Sequence, residues 1–207
     1  MPIASALLLA ASSISVPMPS VDVAQYLFNK VHSRVEHDHT YVMATLNLWV
    51  EPDGRVAQCS IGRLVGDSNV AQVFCPALVG VRLASPRDAH GQPTYAFTSF
   101  TTSGFASSLL SRSSQVIKQL LAQPNSTDPD YRLQIANPTI SEKDNFYIDL
   151  TVASNGKVES CEKPKKVPEN VFTSACAVAR ARTFVILHPA LGDAVSYVRS
   201  IRVVPAI

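Results

Sequence analysis

The chain has few charged residues and no concentration of either sign. Charged side chains make up 16% of its 207 residues, which does not fit a disordered acidic or basic chain. The 18 lysines and arginines are scattered, the net charge is +2, and no basic stripe is present. We therefore expect no nucleic-acid binding.

The sequence also lacks an apolar run that would span a bilayer as a helix, which takes about 20 residues. Its one such run, at residues 3–14, is shorter and rich in small residues, as in a signal peptide. No lysine or arginine precedes the run, and a buried N-terminal helix is the alternative. We expect residues 1–20 to be a signal peptide cleaved near Ser13 or Ser15, and the exported chain to have no transmembrane anchor.

Common catalytic motifs are missing as well. The chain contains no G-x-S-x-G, no phosphate-binding loop, no G-x-G-x-x-G and no H-E-x-x-H. In the densest polar cluster, residues 36–39, His37 and His39 share one face of a predicted strand, an arrangement that suits a metal. The alternative is a solvated turn, since no third ligand at useful spacing follows. We expect no enzymatic activity, no metal and no cofactor.

Two stretches of the chain are similar to each other. Residues 46–59 align without gaps to residues 148–161. In both, apolar residues alternate as in a half-buried strand, an Asp-Gly or Asn-Gly pair follows as in a hairpin turn, and a return strand ends in cysteine. A helical stretch with a second cysteine and a closing β-rich run, residues 94–100 and 196–204, come next. The sequence thus predicts an α+β fold of two tandem small modules, each β-hairpin, helix and strand.

These modules are predicted at residues 21–100 and 129–207. The intervening residues 101–128 begin with a Ser/Thr-rich stretch and contain one amphipathic helix, whose apolar stripe runs from Leu109 to Leu121. We interpret this segment as a linker whose helix packs on a module or acts as a spacer. A further helix is expected over residues 23–32.

The four cysteines fall two to each predicted module, 16 and 15 residues apart. Four cysteines allow three pairings, and the repeat selects the one in which each module closes its own bridge. That pairing joins Cys59 to Cys75 and Cys161 to Cys176, and pins each helix to its hairpin. The cysteines lack the C-x-x-C spacing typical of zinc sites and of redox dithiols.

Trp49 is the only tryptophan of the chain. In the first predicted strand it points away from the face that carries Leu48 and Val50. It is either an aromatic of a binding surface or packed under a neighbouring helix, and we favour packing.

Residues 50–59, Cys75 and residues 85–93 together resemble the C-terminal domain of TonB-type energy transducers. That family carries a "pDGrV…C" hairpin, a helix with a second cysteine and a "P-x-D-x-x-G-x-P" stretch before its last strand. The second half is similar through residues 152–161, Cys176 and residues 189–192. The resemblance implies a periplasmic domain whose last strand receives a segment of an outer-membrane transporter by strand addition.

The sequence given contains no evident anchor or long Pro-rich spacer, so we expect two stand-alone modules of this type rather than an anchored transducer. We expect a periplasmic protein-binding module whose partner is an outer-membrane or other envelope protein. One alternative is a structural envelope protein, in which the two modules pair sheet to sheet or the chain dimerises through those same edges. The third is a metal-dependent enzyme. Carried over by the resemblance, the receiving edges are Thr94, Tyr95, Ala96, Phe97 and Thr98, and Tyr197, Val198, Arg199, Ser200, Ile201, Arg202 and Val203.

Overall fold

The protein has an α+β fold, described by a computed structural model over residues 14–19, 21–106, 132–135, 146–189 and 192–205. Four helices and seven strands lie in these ranges. The helices are α1 (Val21–His37), α2 (Ser68–Ala71), α3 (Phe74–Leu78) and α4 (Glu169–Ala181). The strands are β1 (Tyr41–Val50), β2 (Val56–Gly66), β3 (Tyr95–Phe105), β4 (Arg132–Ile135), β5 (Phe146–Val152), β6 (Val158–Glu162) and β7 (Tyr197–Pro205).

All seven strands belong to one sheet. Its order is β2-β1-β3-β7-β5-β6, and β4 pairs with β7 beside this path. The hairpins β1–β2 and β5–β6 are antiparallel, and each is joined by an antiparallel third strand, β3 or β7. The two sets meet where β3 and β7 run parallel. The same order of hairpin, helix and third strand therefore occurs on both sides of a parallel junction.

The helices of the two halves lie on opposite faces of this sheet. Helices α1, α2 and α3 pack with β1 in a core that also contains Ala96 and Val198. Helix α4 packs with β4 and β5 in a second core that contains Phe97 and Tyr197. Neighbouring residues of a strand point to opposite faces, so β3 and β7 contribute to both cores. The centre of the sheet is buried on both sides.

Each hairpin turns at a glycine that no other residue replaces without strain. Gly54 has φ +85° and Gly156 has φ +78°, in the left-handed region. A Cβ atom on Gly54 would lie 2.4 Å from the carbonyl oxygen of Leu83, and one on Gly156 would lie 2.5 Å from that of Phe184. The same two carbonyl neighbours donate their amides back to the glycine carbonyls at 2.8 Å. The two turns are thus built alike, as the Asp-Gly and Asn-Gly pairs predict.

Several predicted boundaries differ from the observed ones. Helix α1 is longer than residues 23–32, and the helix expected around Cys75 is broken into the short α2 and α3. Strand β3 continues through the Ser/Thr-rich residues 101–105 because Thr and Ser fit a strand paired along its whole length with β1. The amphipathic helix expected at residues 109–121 lies outside the described residues.

Candidate functional site

The two strands that were predicted to receive a partner pair with each other. Residues 95–97 of β3 lie opposite residues 197–199 of β7, in parallel register. On its other side β7 pairs with β5 over residues 197–203, and residues 202–205 also pair with β4. The open edges that the resemblance implies are therefore not present at residues 95–97, 197–199 and 202–203. The physical reason is that an unpaired strand edge pairs with any strand within reach, and here the other half supplies one.

Burial agrees with this position inside the sheet. The hydroxyl of Thr94, just before β3, donates to the carbonyl oxygen of Ser196 at 3.3 Å, which extends the contact between the halves by one residue. Of the predicted edge residues, those that are buried are Ala96, Phe97, Thr98, Tyr197, Val198, Arg199, Ile201 and Val203, and those that are half-buried are Thr94, Tyr95, Ser200 and Arg202.

A cluster of rings and one guanidinium packs across the junction, and we call these residues the junction cluster: Trp49, Phe97, Phe184, Tyr197 and Arg199. The Trp49 ring centre lies 4.3 Å from that of Phe97. The Arg199 guanidinium lies 4.9 Å from the Phe97 ring centre and 5.2 Å from that of Phe184. Arg199 is 1% exposed, so these cation–π contacts are made away from water, where they are strongest.

The ring of Trp49 is half-buried. It comes from the first hairpin but packs against the second core, on the face opposite its own helices. The sequence favoured packing under a helix, whereas the ring packs on those of Phe97 and Tyr197, which belong to strands, and also lines a cavity. Sequence reasoning placed Arg199 in a partner-binding edge and missed its burial. The alternation of apolar residues around Arg199 in β7 was the available signal.

In each half of the chain, one disulfide joins the hairpin to the helical segment that follows it. Cys59 of β2 bonds Cys75 of α3, with 5.2 Å between the Cα atoms, and Cys161 of β6 bonds Cys176 of α4, with 6.0 Å. These are the pairings predicted from the repeat. Each bridge fixes one outer strand to the helices on its own face of the sheet.

Strands β2 and β6 end the strand order of the sheet, and they differ in length and charge. Within the described residues, positions 98–105 of β3 also have a neighbouring strand on one side only, because β3 pairs with β7 just at residues 95–97. Strand β2 has eleven residues with one charge, Arg63, whereas β6 has five residues with two, Glu159 and Glu162. The start of β2 is covered, because the Val56 amide donates to the carbonyl of Val81 at 2.9 Å. From residue 57 to 66, no strand within the described ranges pairs with its outer side.

Every second residue of β2 directs its backbone amide and carbonyl away from β1. The Asp67 amide donates to the Tyr41 carbonyl at 2.9 Å, which places residue 67 in a bonded position opposite β1. Bonded and outward positions alternate in an antiparallel pair, so the amides and carbonyls of Leu64 and Gly66 point away from β1. These are the groups that an added strand would bond.

Two cavities flank the junction. One, of about 330 Å³, lies beside the start of β2 between Trp49, Gln58, Tyr95 and Leu187. The other, of about 350 Å³, lies beside the end of the paired stretch of β3 and β7, and its lining residues are Val16, Met18, Phe97, Thr98, Ser99, Tyr147, Asp149, Arg199 and Ser200.

Two carboxyl groups lie near the second cavity. Burial raises the pKa of Asp149, and a hydrogen bond from the Ser200 hydroxyl offsets part of this rise. Burial also raises the pKa of Glu162, the backbone amide of Ile14 lowers it, and the charge of Asp149 raises it. Sequence reasoning missed both carboxyls. No local signal was available, because a charge between the apolar Ile148 and Leu150 of a strand indicates the solvent-facing side.

The histidine cluster does not form the predicted arrangement. His37 is the last residue of α1, and His39 lies in the turn that follows, with φ +49°. They do not share a strand face, because the helix continues further than the sequence predicted. Among the described residues there is no group of three side chains suited to hold a metal ion.

No protein-family model, curated protein or solved structure matches the chain. Within the described ranges, none of the helices is both long and apolar enough to cross a membrane.

Proposed function

We propose that this chain is an exported envelope protein, similar to TonB C-terminal domains, that binds a partner protein by strand addition and is not an enzyme. The accepting edge is the outer side of β2 rather than β3 or β7. The observation that carries the proposal is the contrast between the two outer strands. Export to the periplasm is supported by the two disulfides, which are typical of oxidising compartments.

Strand β2 has the features of an edge that accepts a strand, and β6 has those of a protected edge. Short strands and charged side chains prevent unwanted pairing, and β6 has both. The ten residues 57–66 include Arg63 as their one charge, and their outward backbone groups suit main-chain hydrogen bonds with an extended peptide. Side chains of such a peptide would alternate between the two faces of the sheet. The cavity beside Gln58 and Tyr95 would accept one of them.

The structural alternative is a homodimer in which β2 of one copy pairs with β2 of another. It is favoured by the pairing of β3 with β7, because the edges first expected to bind a partner already bind each other. A dimer made this way would extend the sheet across both copies. Its mass in solution would be twice that of the chain, without any other protein.

Photo-crosslinking in intact bacterial cells tests the proposal. A photoreactive residue replaces Ser60, which is exposed in the middle of β2, and in separate chains Glu159 of β6 or Ser200 of β7. We expect a discrete product with a different envelope protein from position 60 and none from positions 159 and 200. A product only with a second copy would favour the homodimer. A partner captured at position 200 instead would overturn the choice of edge.

Lysine at position 60 provides the matched functional variant. A charge at an outer edge opposes strand addition and costs the folded chain little, because Ser60 is exposed. With the photoreactive residue moved to the neighbouring exposed position 58, Ser60→Lys should abolish the crosslinked product. Glu159→Lys in β6 should leave it unchanged. Loss of the product in both variants would contradict binding at β2.

A further inference from the structure

Residues 14–19 are packed as part of the folded protein. Ile14 is 6% exposed and belongs to the first core, and Pro17 is buried. Ser15 exchanges two backbone hydrogen bonds with Arg87, at 2.9 and 3.0 Å. Met18 receives a hydrogen bond from the Thr98 hydroxyl at 3.5 Å. A mature chain that lacked residues 14–19 would lose two buried residues, Ile14 and Pro17. It would also lose the contact of Met18 with β3 and that of Ser15 with the loop before β3.

The backbone nitrogen of Ile14 lies within hydrogen-bonding distance of a carboxylate in the second half of the chain. Its amide donates to Oε2 of Glu162, in β6, while its side chain lies in the first core. Asp149 is paired with Glu162 in the β5–β6 register, and its charge acts on the same carboxyl. A neutral amide supplies one hydrogen bond and no charge to this acidic pair. An ammonium group at the same atom would supply three donors and a positive charge.

The residues before Ile14 suit cleavage at that point. Ala11 and Ser13 are the small residues at the third and first positions before the bond Ser13–Ile14, which is the pattern that signal peptidases accept. Cleavage after Ser15 would remove Ile14 and the hydrogen bonds of Ser15 with Arg87. A signal peptidase acts on the extended chain during export, before folding, so the burial of Ile14 does not hinder it.

We propose that export cuts the chain between Ser13 and Ile14 and that the new α-ammonium group of Ile14 forms an ion pair with Glu162. In the cut, a signal peptidase adds water across the peptide bond: Ser13 keeps the carboxylate, and the amine of Ile14 takes up a proton. The ion pair joins the first core, through the Ile14 side chain, to the outer strand of the second half. This inference depends on the proposed export but not on the proposed partner edge.

The mass of the exported protein tests the cleavage site. The chain of residues 1–207, without an added tag or leader, is produced in a bacterial host and recovered from the periplasm. Intact mass and N-terminal sequencing should give a protein that begins at Ile14. A start at residue 16 or beyond would overturn the inference. A chain recovered only from the cytoplasm, starting at Met1, would contradict both this inference and the proposed export. The partner edge is tested separately, by crosslinking at position 60.

The reactivity of the Ile14 amine tests the ion pair. A free α-amine has a pKa of about 8, and an ion pair with a carboxylate raises it, so acylation near pH 7 slows by about tenfold for each pKa unit. We expect the native protein to react about tenfold more slowly than Glu162→Gln and at the same rate as Glu159→Gln, the matched variant of an exposed carboxylate in the same strand. The acylation rate of the Ile14 amine in the native wild type is also compared with its rate in the same protein unfolded in denaturant. We expect about the same tenfold ratio, and this comparison needs no variant. Equal rates in both comparisons would refute the ion pair.

Discussion

The indole ring of Trp49 lies 5.7 Å from the ring centre of Tyr197 and almost perpendicular to it, at 82°. Trp49 belongs to the first hairpin and Tyr197 to the last strand, so one edge-to-face contact joins the two halves of the chain. It lies directly over the parallel pairing of β3 and β7. This contact adds to the strand pairing that joins the two halves, and it gives the first prediction.

Replacing Trp49 with alanine should reduce the free energy of unfolding by about 3 kcal/mol, because a large half-buried ring leaves a cavity in the second core. Urea unfolding followed by circular dichroism measures this loss. Tyr26→Ala in α1 is the control, since Tyr26 is 41% exposed. Its effect should stay within about 0.5 kcal/mol. Equal losses in the two variants would mean that the junction cluster does not join the halves.

Gly54→Ala should destabilise the protein more than Gly80→Ala. Both glycines have nearly the same positive φ, +85° and +86°, so both variants carry the backbone strain of about 1–2 kcal/mol. Only at Gly54 does the added Cβ meet a backbone atom, 2.4 Å away, while Gly80 faces open space. The overpacking adds about 1–3 kcal/mol, and thermal or urea unfolding of the two variants gives the difference. A larger loss at Gly80 would contradict this account of the turn.

Removing either disulfide should cost about 3 kcal/mol, because each closes a loop of about 15 residues in the unfolded chain. The variants are the double replacements Cys59→Ala with Cys75→Ala, and Cys161→Ala with Cys176→Ala. Peptide mapping of the wild type without reductant accompanies the unfolding measurements. Pairs formed between the halves, or four free thiols, would be incompatible with the structure.

Asp149→Asn should stabilise the protein at pH 7 and lose that advantage on acidification. Burial holds the pKa of Asp149 above its unfolded value, so the protonated carboxyl is the form that the fold favours. The stability that protonated Asp149 gives the wild-type fold is complete below the pKa of about 3.9 that the group has in the unfolded chain. It is lost as the pH rises through the pKa of Asp149 in the folded protein. Asparagine keeps an acceptor for the Ser200 hydroxyl without the charge.

Urea unfolding of wild type and Asp149→Asn from pH 4 to pH 7 measures this difference. The control is Asp193→Asn, which removes one exposed carboxylate and so changes the net charge by the same amount. The opposite result would be an Asp149→Asn variant with a lower free energy of unfolding than wild type at pH 7 and a difference that disappears on acidification. That result would contradict the effect of burial on the Asp149 carboxyl.

The sequence predicts the local parts of this fold well. Alternating apolar residues mark β1 and β5, the Asp-Gly and Asn-Gly pairs mark both turns, and the spacing of cysteines marks both bridges. All of these depend on residues close together in the chain. The α+β class follows from them, whereas an origin of the two halves by duplication stays a prediction.

What the sequence did not predict is how distant strands meet. Strands β3 and β7 are separated by about 100 residues, and no local pattern states that they pair. The structure shows the result in β7, where Tyr197, Val198 and Arg199 are all buried although they alternate between faces. A strand with both faces covered is typical of the interior of a sheet rather than its edge. The position of Glu162 beside Ile14 likewise depends on a contact across 148 residues.

Native-state hydrogen exchange tests the central claim most directly, namely that residues 95–97 of β3 and residues 197–199 of β7 cover each other and that β2 is the accepting edge. The amides of residues 197–199 have neighbouring strands on both sides, so they should exchange only through global unfolding. The outward amide of Leu64 in β2 should exchange orders of magnitude faster and become protected when the partner binds. Fast exchange at residues 197–199, with protection there on partner binding, would contradict the account.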